Sequence, residues 1–273
     1  MSDRLIRETA AAADPAHRLN TVKELLQGSI LVGLGKDGLL LQLGFHGGTA
    51  LRLVHGLRRY SEDLDFIRLA PTIEAEAFQA SIKRTFIKHD LFPQIGSSRT
   101  VAANSNNKEL LRINVAALCD RKLEELIAAP QIQITLEIDL HPPDHVAIER
   151  EKTKHGVVLD VFSLPSLMSG KLHILLTRRD REKGRDWYDY AWYRRQGITP
   201  NLRQLQSAID QTGGGIEAER WPEILREIIS TKNWQVLRDD VRPFLERRSD
   251  LEEITESKIL ALTPESASPP TES

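Results

Sequence analysis

Phe45-His46-Gly47-Gly48-Thr49-Ala50-Leu51, followed by Arg59-Tyr60-Ser61-Glu62-Asp63-Leu64-Asp65-Phe66, is the stretch from which the fold can be read. The apolar run Leu39 to Phe45 predicts a strand that ends in two glycines. Leu51, Leu53, Val54 and Leu57 then give a short helix one buried face, and Asp63 to Leu69 predicts a second strand. Alternation along that strand sends Asp63 and Asp65 to one face and Leu64 and Phe66 to the other. Two neighbouring carboxylates repel, and burial sharpens the repulsion. A hard divalent cation relieves it, since Mg²⁺ takes one or two protein carboxylates together with substrate phosphates. The glycines would let backbone N–H groups approach those phosphates closely. Asp-x-Asp alone is more often a solvated pair on an exposed strand; the Gly-Gly turn on the preceding strand makes it more specific.

Working outward, 273 residues suffice for one large domain or two small ones. Hydrophobic residues make up 40% and charged residues 28%, as in an ordinary globular protein, and the formal net charge of -2 argues against general polyanion binding. Met1-Ser2-Asp3-Arg4 lacks the apolar core of a signal peptide, and no run is long enough to span a membrane. The single cysteine, Cys119, excludes an internal disulfide and suits a reducing cytoplasm; its apolar neighbours predict a buried structural thiol.

Residues 3 to 32 read as helical with a break at Pro15, and Gly33 to Gly38 as a turn. Beyond the second strand, a helix is expected from Thr72 to about His89, a strand from Ile95 to Val101, a polar turn over Asn104 to Lys108, and strands over Glu109 to Leu118 and Ile132 to Leu140. Asp120 to Ala129 between the last two has helical composition, and Asp160 to Pro165 reads as a connection. After it come helices carrying Leu167, Leu172 and Leu175, then Arg185 to Gln196, Asn201 to Thr212, Glu217 to Ser230 and Trp234 to Arg247.

Gly-Gly-Thr-Ala-Leu-Arg-Leu followed by Arg-x-Ser-x-Asp-Leu-Asp-Phe resembles the signature of the AbiEii/AbiGii-type nucleotidyltransferase toxins. These are similar to the wider DNA polymerase beta-like nucleotidyltransferases, whose pattern is an apolar residue, Gly-Gly or Gly-Ser, a spacer and Asp-x-Asp. The spacer here, Thr49 to Glu62, is slightly longer than the common range of that superfamily and suits this branch. Ser169-Gly170-Lys171-Leu172-His173 and Lys183-Gly184-Arg185-Asp186-Trp187-Tyr188-Asp189 add to the resemblance, which covers roughly residues 20 to 200.

The resemblance implies an α+β fold: a polymerase beta-like core with a small mixed sheet and flanking helices, then a mainly helical C-terminal region. The expected organisation is a core domain with N-terminal helices over 1–160, a helical domain completing the active site over 161–260, and a disordered tail over 261–273. Asp63 and Asp65 would hold Mg²⁺, with Mn²⁺ as a substitute, and a nucleoside triphosphate. Gly47, Gly48, Thr49 and Ser61 would meet phosphate, and Lys171 would neutralise it. Asp189 could order Lys171, act as a base or assist substrate binding. Ser61 also matches a position that the related toxins suggest for regulatory modification.

A third carboxylate is expected on the polar face of the strand 132–140, either Glu137 or Asp139; Asp139 is preferred because it lies nearer the strand end. Arg178, Arg179, Arg181, Lys183 and Arg185 form a basic cluster that could contact an RNA or nucleotide phosphate backbone, or could be a solvated loop neutralised by Asp180, Glu182 and Asp186. By resemblance the chain is the toxin of a type IV toxin–antitoxin or abortive-infection system in the cytoplasm. It would pass a nucleotide to a tRNA 3′ end and be partnered by an antitoxin. The alternatives are a catalytically silent nucleotide-binding module and a nucleotidyltransferase acting on a protein or small molecule.

Overall fold

The chain enters its first long helix, α2 (Pro15–Lys36), after a short one, α1 (Asp3–Ala10). Asp14 caps α2, its carboxylate accepting the His17 backbone N–H, and Pro15 occupies the first turn, where no N–H is missed. Val22, Leu26, Ile30, Leu31 and Leu34 are fully buried along it. The helix runs through Gly33 and Gly35 to Lys36, so the turn expected over Gly33 to Gly38 is confined to its last residues; Gly38, at φ +74°, makes the reversal. The computed structural model describes residues 3–12, 14–101, 109–178 and 183–266.

The run expected as one strand from Leu39 divides in two. Leu39–Gln42 is a 3₁₀ turn and only Leu43–His46 (β1) is extended. Next come α3 (Gly47–Leu53), β2 (Leu64–Arg68), α4 (Ala75–Ile87), β3 (Pro93–Val101), β4 (Glu109–Leu118), α5 (Arg121–Ile127) and β5 (Gln131–Asp139). The expected turn Asn104 to Lys108 lies outside the described residues. Two further strands were not expected: β6 (Ile148–Lys152), in a stretch given no element, and β7 (Val158–Phe162), which runs into the expected connection Asp160 to Pro165.

All seven strands form one mixed sheet in the order β3-β4-β5-β2-β1-β7-β6. The β1–β2, β3–β4 and β4–β5 pairs are antiparallel, and β2–β5 and β1–β7 are parallel. The apolar halves of the strands face α2 and α4. Phe45 and Phe66, opposite each other in the β1–β2 register, stack with ring centroids 5.0 Å apart and are fully buried. The polar halves therefore share the other face.

Two compact units result. The first takes in the described chain up to His141 and the segment Glu149–Val161; the second comprises Pro142–Ile148 and everything from Phe162 onward. The second unit is helical: α6 (Leu164–Thr177), α7 (Gly184–Arg195), α8 (Leu202–Gln211), α9 (Trp221–Ser230), α10 (Trp234–Val241) and α11 (Glu256–Leu262). The expected disordered tail begins inside α11, and residues 267–273 lie outside the described ones. α7 is its central element, packing on α6, α10 and α11. Its aromatics make core contacts: Trp187 meets Trp234 at 5.2 Å and Tyr190 meets Trp221 at 6.3 Å between centroids. Burial pushes the Tyr190 phenol up to about 12, and its hydroxyl pairs with Thr263 at 2.8 Å.

Gly184, the first residue of α7, allows the closest packing in this unit: a Cβ there would overlap the Leu237 carbonyl oxygen of α10. Backbone cannot step aside as a side chain can. Gly184→Ala should lower stability by about 1–3 kcal/mol, measured by urea denaturation; an unchanged midpoint would mean that α7 and α10 are less tightly joined than described.

Candidate active site

The polar face of the sheet is charged from one side to the other. On β7, Asp160 pairs with Arg150 of β6 at 2.9 Å; on β4, Arg112 pairs with Glu137 of β5 at 2.7 Å. Asp65 of β2 lies between these pairs, opposite His46 of β1 and Glu137 of β5. Asp63 sits one residue before β2 and is exposed, while Asp65 is half-buried.

β1 delivers the chain into Gly47, whose φ of +76° is in the left-handed region. The Asp65 carboxylate lies over this residue: a Cβ on Gly47 would overlap its Oδ2 atom. A Cβ on Gly48 would sit 2.5 Å from the Arg59 guanidinium and 3.0 Å from the Ser61 hydroxyl. The Thr49 hydroxyl donates to the Asp63 carbonyl in a short hydrogen bond. Gly47, Gly48, Thr49, Ser61, Asp63 and Asp65 are thus gathered at one turn, with an arginine among them.

The loop that carries Ser61 and Asp63 is fastened to α2. Gln27 Nε2 donates to the Ser61 and Glu62 carbonyls at 3.1 and 2.9 Å, and Lys23 pairs with Glu62 at 3.0 Å. Arg52 of α3 is buried; it makes a short ion pair with Glu24, donates to the Leu57 carbonyl at 3.1 Å and lies 4.2 Å above the Tyr60 ring. Glu24 also receives Lys154 at 2.5 Å. Burial tends to raise the Glu24 carboxyl, but Arg52 and Lys154 together hold it below its ordinary value of 4.5. Arg59 is equally buried and donates to the Tyr60 carbonyl at 2.8 Å.

The β2–β5 register gives the two later carboxylates different neighbours. β5 runs parallel to β2, so Glu137 lies beside Asp65, about 4.8 Å away along the hydrogen-bonding direction, and Asp139 lies beside Ile67, one step farther from the glycine turn. The strand end that made Asp139 attractive points away from Asp63. Asp139 is buried and accepts the His141 backbone N–H at 3.0 Å in an Asx turn.

Lys171, Asp189 and Arg185 belong to the second unit. Lys171 of α6 is largely buried, and its ammonium is held by Asp186 at 2.6 Å and Asp189 at 2.9 Å, with Arg178 on the other Asp186 oxygen at 3.8 Å. Asp189 is fully buried, and the lysine offsets its charge there. The Arg185 guanidinium lies 4.0 Å above the Phe244 ring. Of the basic cluster, Arg179 and Arg181 lie outside the described residues. Cys119 is half-buried rather than buried; burial, then Asp120 and Glu124, push its thiol up to about 11, which makes it a poor nucleophile.

A sequence profile for the nucleotidyl transferase AbiEii toxins of type IV toxin–antitoxin systems matches residues 29–257. A comparison with curated proteins finds no match. Among solved structures, JHP933 from Helicobacter pylori aligns with a TM-score of 0.51 and 18% identity over 93% of this chain and 92% of its own. A second H. pylori protein, provisionally described as a nucleotidyltransferase, aligns with a TM-score of 0.50 and 17% identity over 96% and 94%. At that identity the two structures speak for the fold; the profile speaks for the family. The chain belongs to the AbiEii nucleotidyltransferase toxins, and the match extends beyond the stretch that carried the resemblance, into α11.

Two outcomes follow from the geometry. Gly47→Ala must displace the Asp65 carboxylate and strain the turn, and should lower nucleotide transfer about 100-fold with far less effect on thermal stability; transfer rates and melting curves of the purified variant separate the two. Because the Glu24 carboxyl is depressed in the folded chain, its contribution to stability is present above about pH 4.5 and is lost as pH falls through the lower folded value. Glu24→Gln should flatten that part of the stability–pH curve, read by thermal melts between pH 3 and 6 (a range set about the ordinary value).

Proposed function

We propose, from its membership of the AbiEii family, that the protein transfers a nucleotide from a nucleoside triphosphate to an acceptor hydroxyl, with pyrophosphate leaving. The observation that carries this reading is the convergence at the glycine turn, where Asp65 lies over Gly47 while Arg59 and Ser61 crowd Gly48. Carboxylates beside a guanidinium at a glycine turn suit a polyphosphate with its counter-cation.

The donors at the turn are hard oxygens, the kind Mg²⁺ and Mn²⁺ take. Among the described residues no three His, Cys, Asp or Glu side chains form a group that could hold a metal alone. That suits a cation shared between one or two carboxylates and the phosphates of a substrate. Asp63 and Asp65 would hold it, and when bound it would neutralise charge on the transferred phosphoryl group. Gly47, Gly48 and Thr49 present backbone N–H groups to phosphate, and Thr49 fixes the Asp63 backbone. Glu137, with Asp139 as the other choice, takes the proton of the attacking hydroxyl, and its ion pair with Arg112 holds the carboxylate in place. Lys171 supplies positive charge to the phosphates, oriented by Asp189, and Arg185 offers a further phosphate contact.

The family brings with it a nucleotide substrate and an antitoxin partner. The acceptor we assign is a tRNA 3′ end, and the compartment the cytoplasm; no helix among the described residues is long and apolar enough to cross a membrane. Purified protein, Mg²⁺, each labelled triphosphate in turn and total tRNA should place label on RNA. Asp65→Asn should reduce the rate about 10²–10³-fold. Label on the protein itself would move the acceptor to a protein hydroxyl, and nucleotide binding without product would reduce the chain to a binding module.

A further inference from the structure

Gly28, Ser29, Val32, Gly33 and Lys36 fall on one face of α2, three and four residues apart along its rows. Two of these glycines admit neighbours. The His155 ring fills the space of a side chain at Gly28, 2.6 Å from where a Cβ would stand, and the Thr85 hydroxyl of α4 does the same at Gly33. α4 and the 154–155 turn are thereby brought against α2 at two points. Beside those contacts lies a half-open cleft of about 480 Å³, within the range of roughly 300–1,000 Å³ found for small-molecule sites.

The cleft has an apolar part, Leu5, Leu25 and Val32, and a positive part. Lys36, Lys88 and Lys154 line it with the imidazoles of His89 and His155, against one carboxylate, Glu8. His89 shares a hydrogen bond with Ser29 at 3.0 Å, and Asp37 nearby is held by Arg84 at 2.7 Å. We infer that this cleft is a regulatory site for a small organic anion, a phosphate or carboxylate group carried on an apolar body. The charge selects the anionic end and the leucine and valine side chains receive the rest.

The regulatory half rests on the nucleotidyltransferase reading and on one chain of contacts. Lys154, at the cleft, is bound to Glu24; Glu24 is bound to Arg52; Arg52 holds the Leu57 carbonyl and the Tyr60 ring, just ahead of Ser61 and Asp63. An anion in the cleft competes with Glu24 for Lys154. The balance of charge around Arg52 then changes, and with it the setting of the loop that bears the acidic pair.

The test uses the whole protein and three probes: phenyl phosphate, inorganic phosphate and benzyl alcohol. Phenyl phosphate should shift the ring signals of His89, His155 and Tyr60 in ¹H–¹³C spectra and bind at least about tenfold more tightly than either simpler probe, as expected when both parts of the cleft contribute. Lys36→Glu with Lys88→Glu should abolish those shifts; both side chains are exposed, and a melting curve checks that the fold is kept. Asp65→Asn should leave them intact, which separates this cleft from the acidic pair. Unmoved histidine rings, or equal binding by the double variant, would overturn the site. Moved histidines with an unmoved Tyr60 would overturn the regulatory role. Absence of nucleotide transfer in the untreated protein would sink the function proposed above and leave these spectra readable.

Discussion

The absence of a side chain at Gly47 is what the acidic centre depends on. Asp65 lies where that side chain would be, so the carboxylate and the backbone of the turn occupy neighbouring space that only glycine leaves open. The positive φ makes the same demand independently. From this one approach follow the position of Asp65 against β1, the entry of α3 and the crowding of Arg59 and Ser61 around Gly48. The sheet supplies the rigid part, since Phe45 and Phe66 lock β1 to β2 on the opposite face.

The loop between α3 and β2 has no regular structure of its own, and its order is borrowed. Gln27 satisfies two of its carbonyls, and two buried arginines satisfy two more. Burying guanidinium groups is expensive unless they are paired and hydrogen-bonded. Arg52 meets both conditions through Glu24 and Leu57. The second unit repeats the device with Lys171 between Asp186 and Asp189. In both places a cation keeps buried carboxylate charge tolerable, and the same cation is a group that a phosphate could attract.

Local features were open to sequence reasoning. The glycine turn, the alternation of Asp63 to Phe66 and the two-strand run around Ile113 and Ile134 all depend on residues near one another in the chain. What needed topology was not. Glu137 and Asp139 share a strand and a face, and only the parallel pairing with β2 shows that the first lies beside Asp65 and the second beside Ile67. Glu24 and Arg52 are 28 residues apart, so nothing in either neighbourhood announces the pair. β6 is an exposed edge of Ile-Glu-Arg-Glu-Lys with no apolar alternation, and β7 is short; both owe their extension to their places in the sheet. Leu39–Gln42 is apolar enough for a strand, yet the left-handed Gly38 turns it into a 3₁₀ element.

The path of the chain has a consequence for how such a protein can be inherited or dismantled. It leaves the sheet-bearing unit after His141, contributes Pro142–Ile148 to the helical one, and comes back for Glu149–Val161 before departing for good. No single break in the polypeptide yields either unit whole. A gene truncated between them would produce a sheet lacking its last strands or a bundle lacking its first segment. Recombination that respects folding must therefore exchange the two as one piece, and a protease nick near residue 145 would sever the connection without freeing a domain.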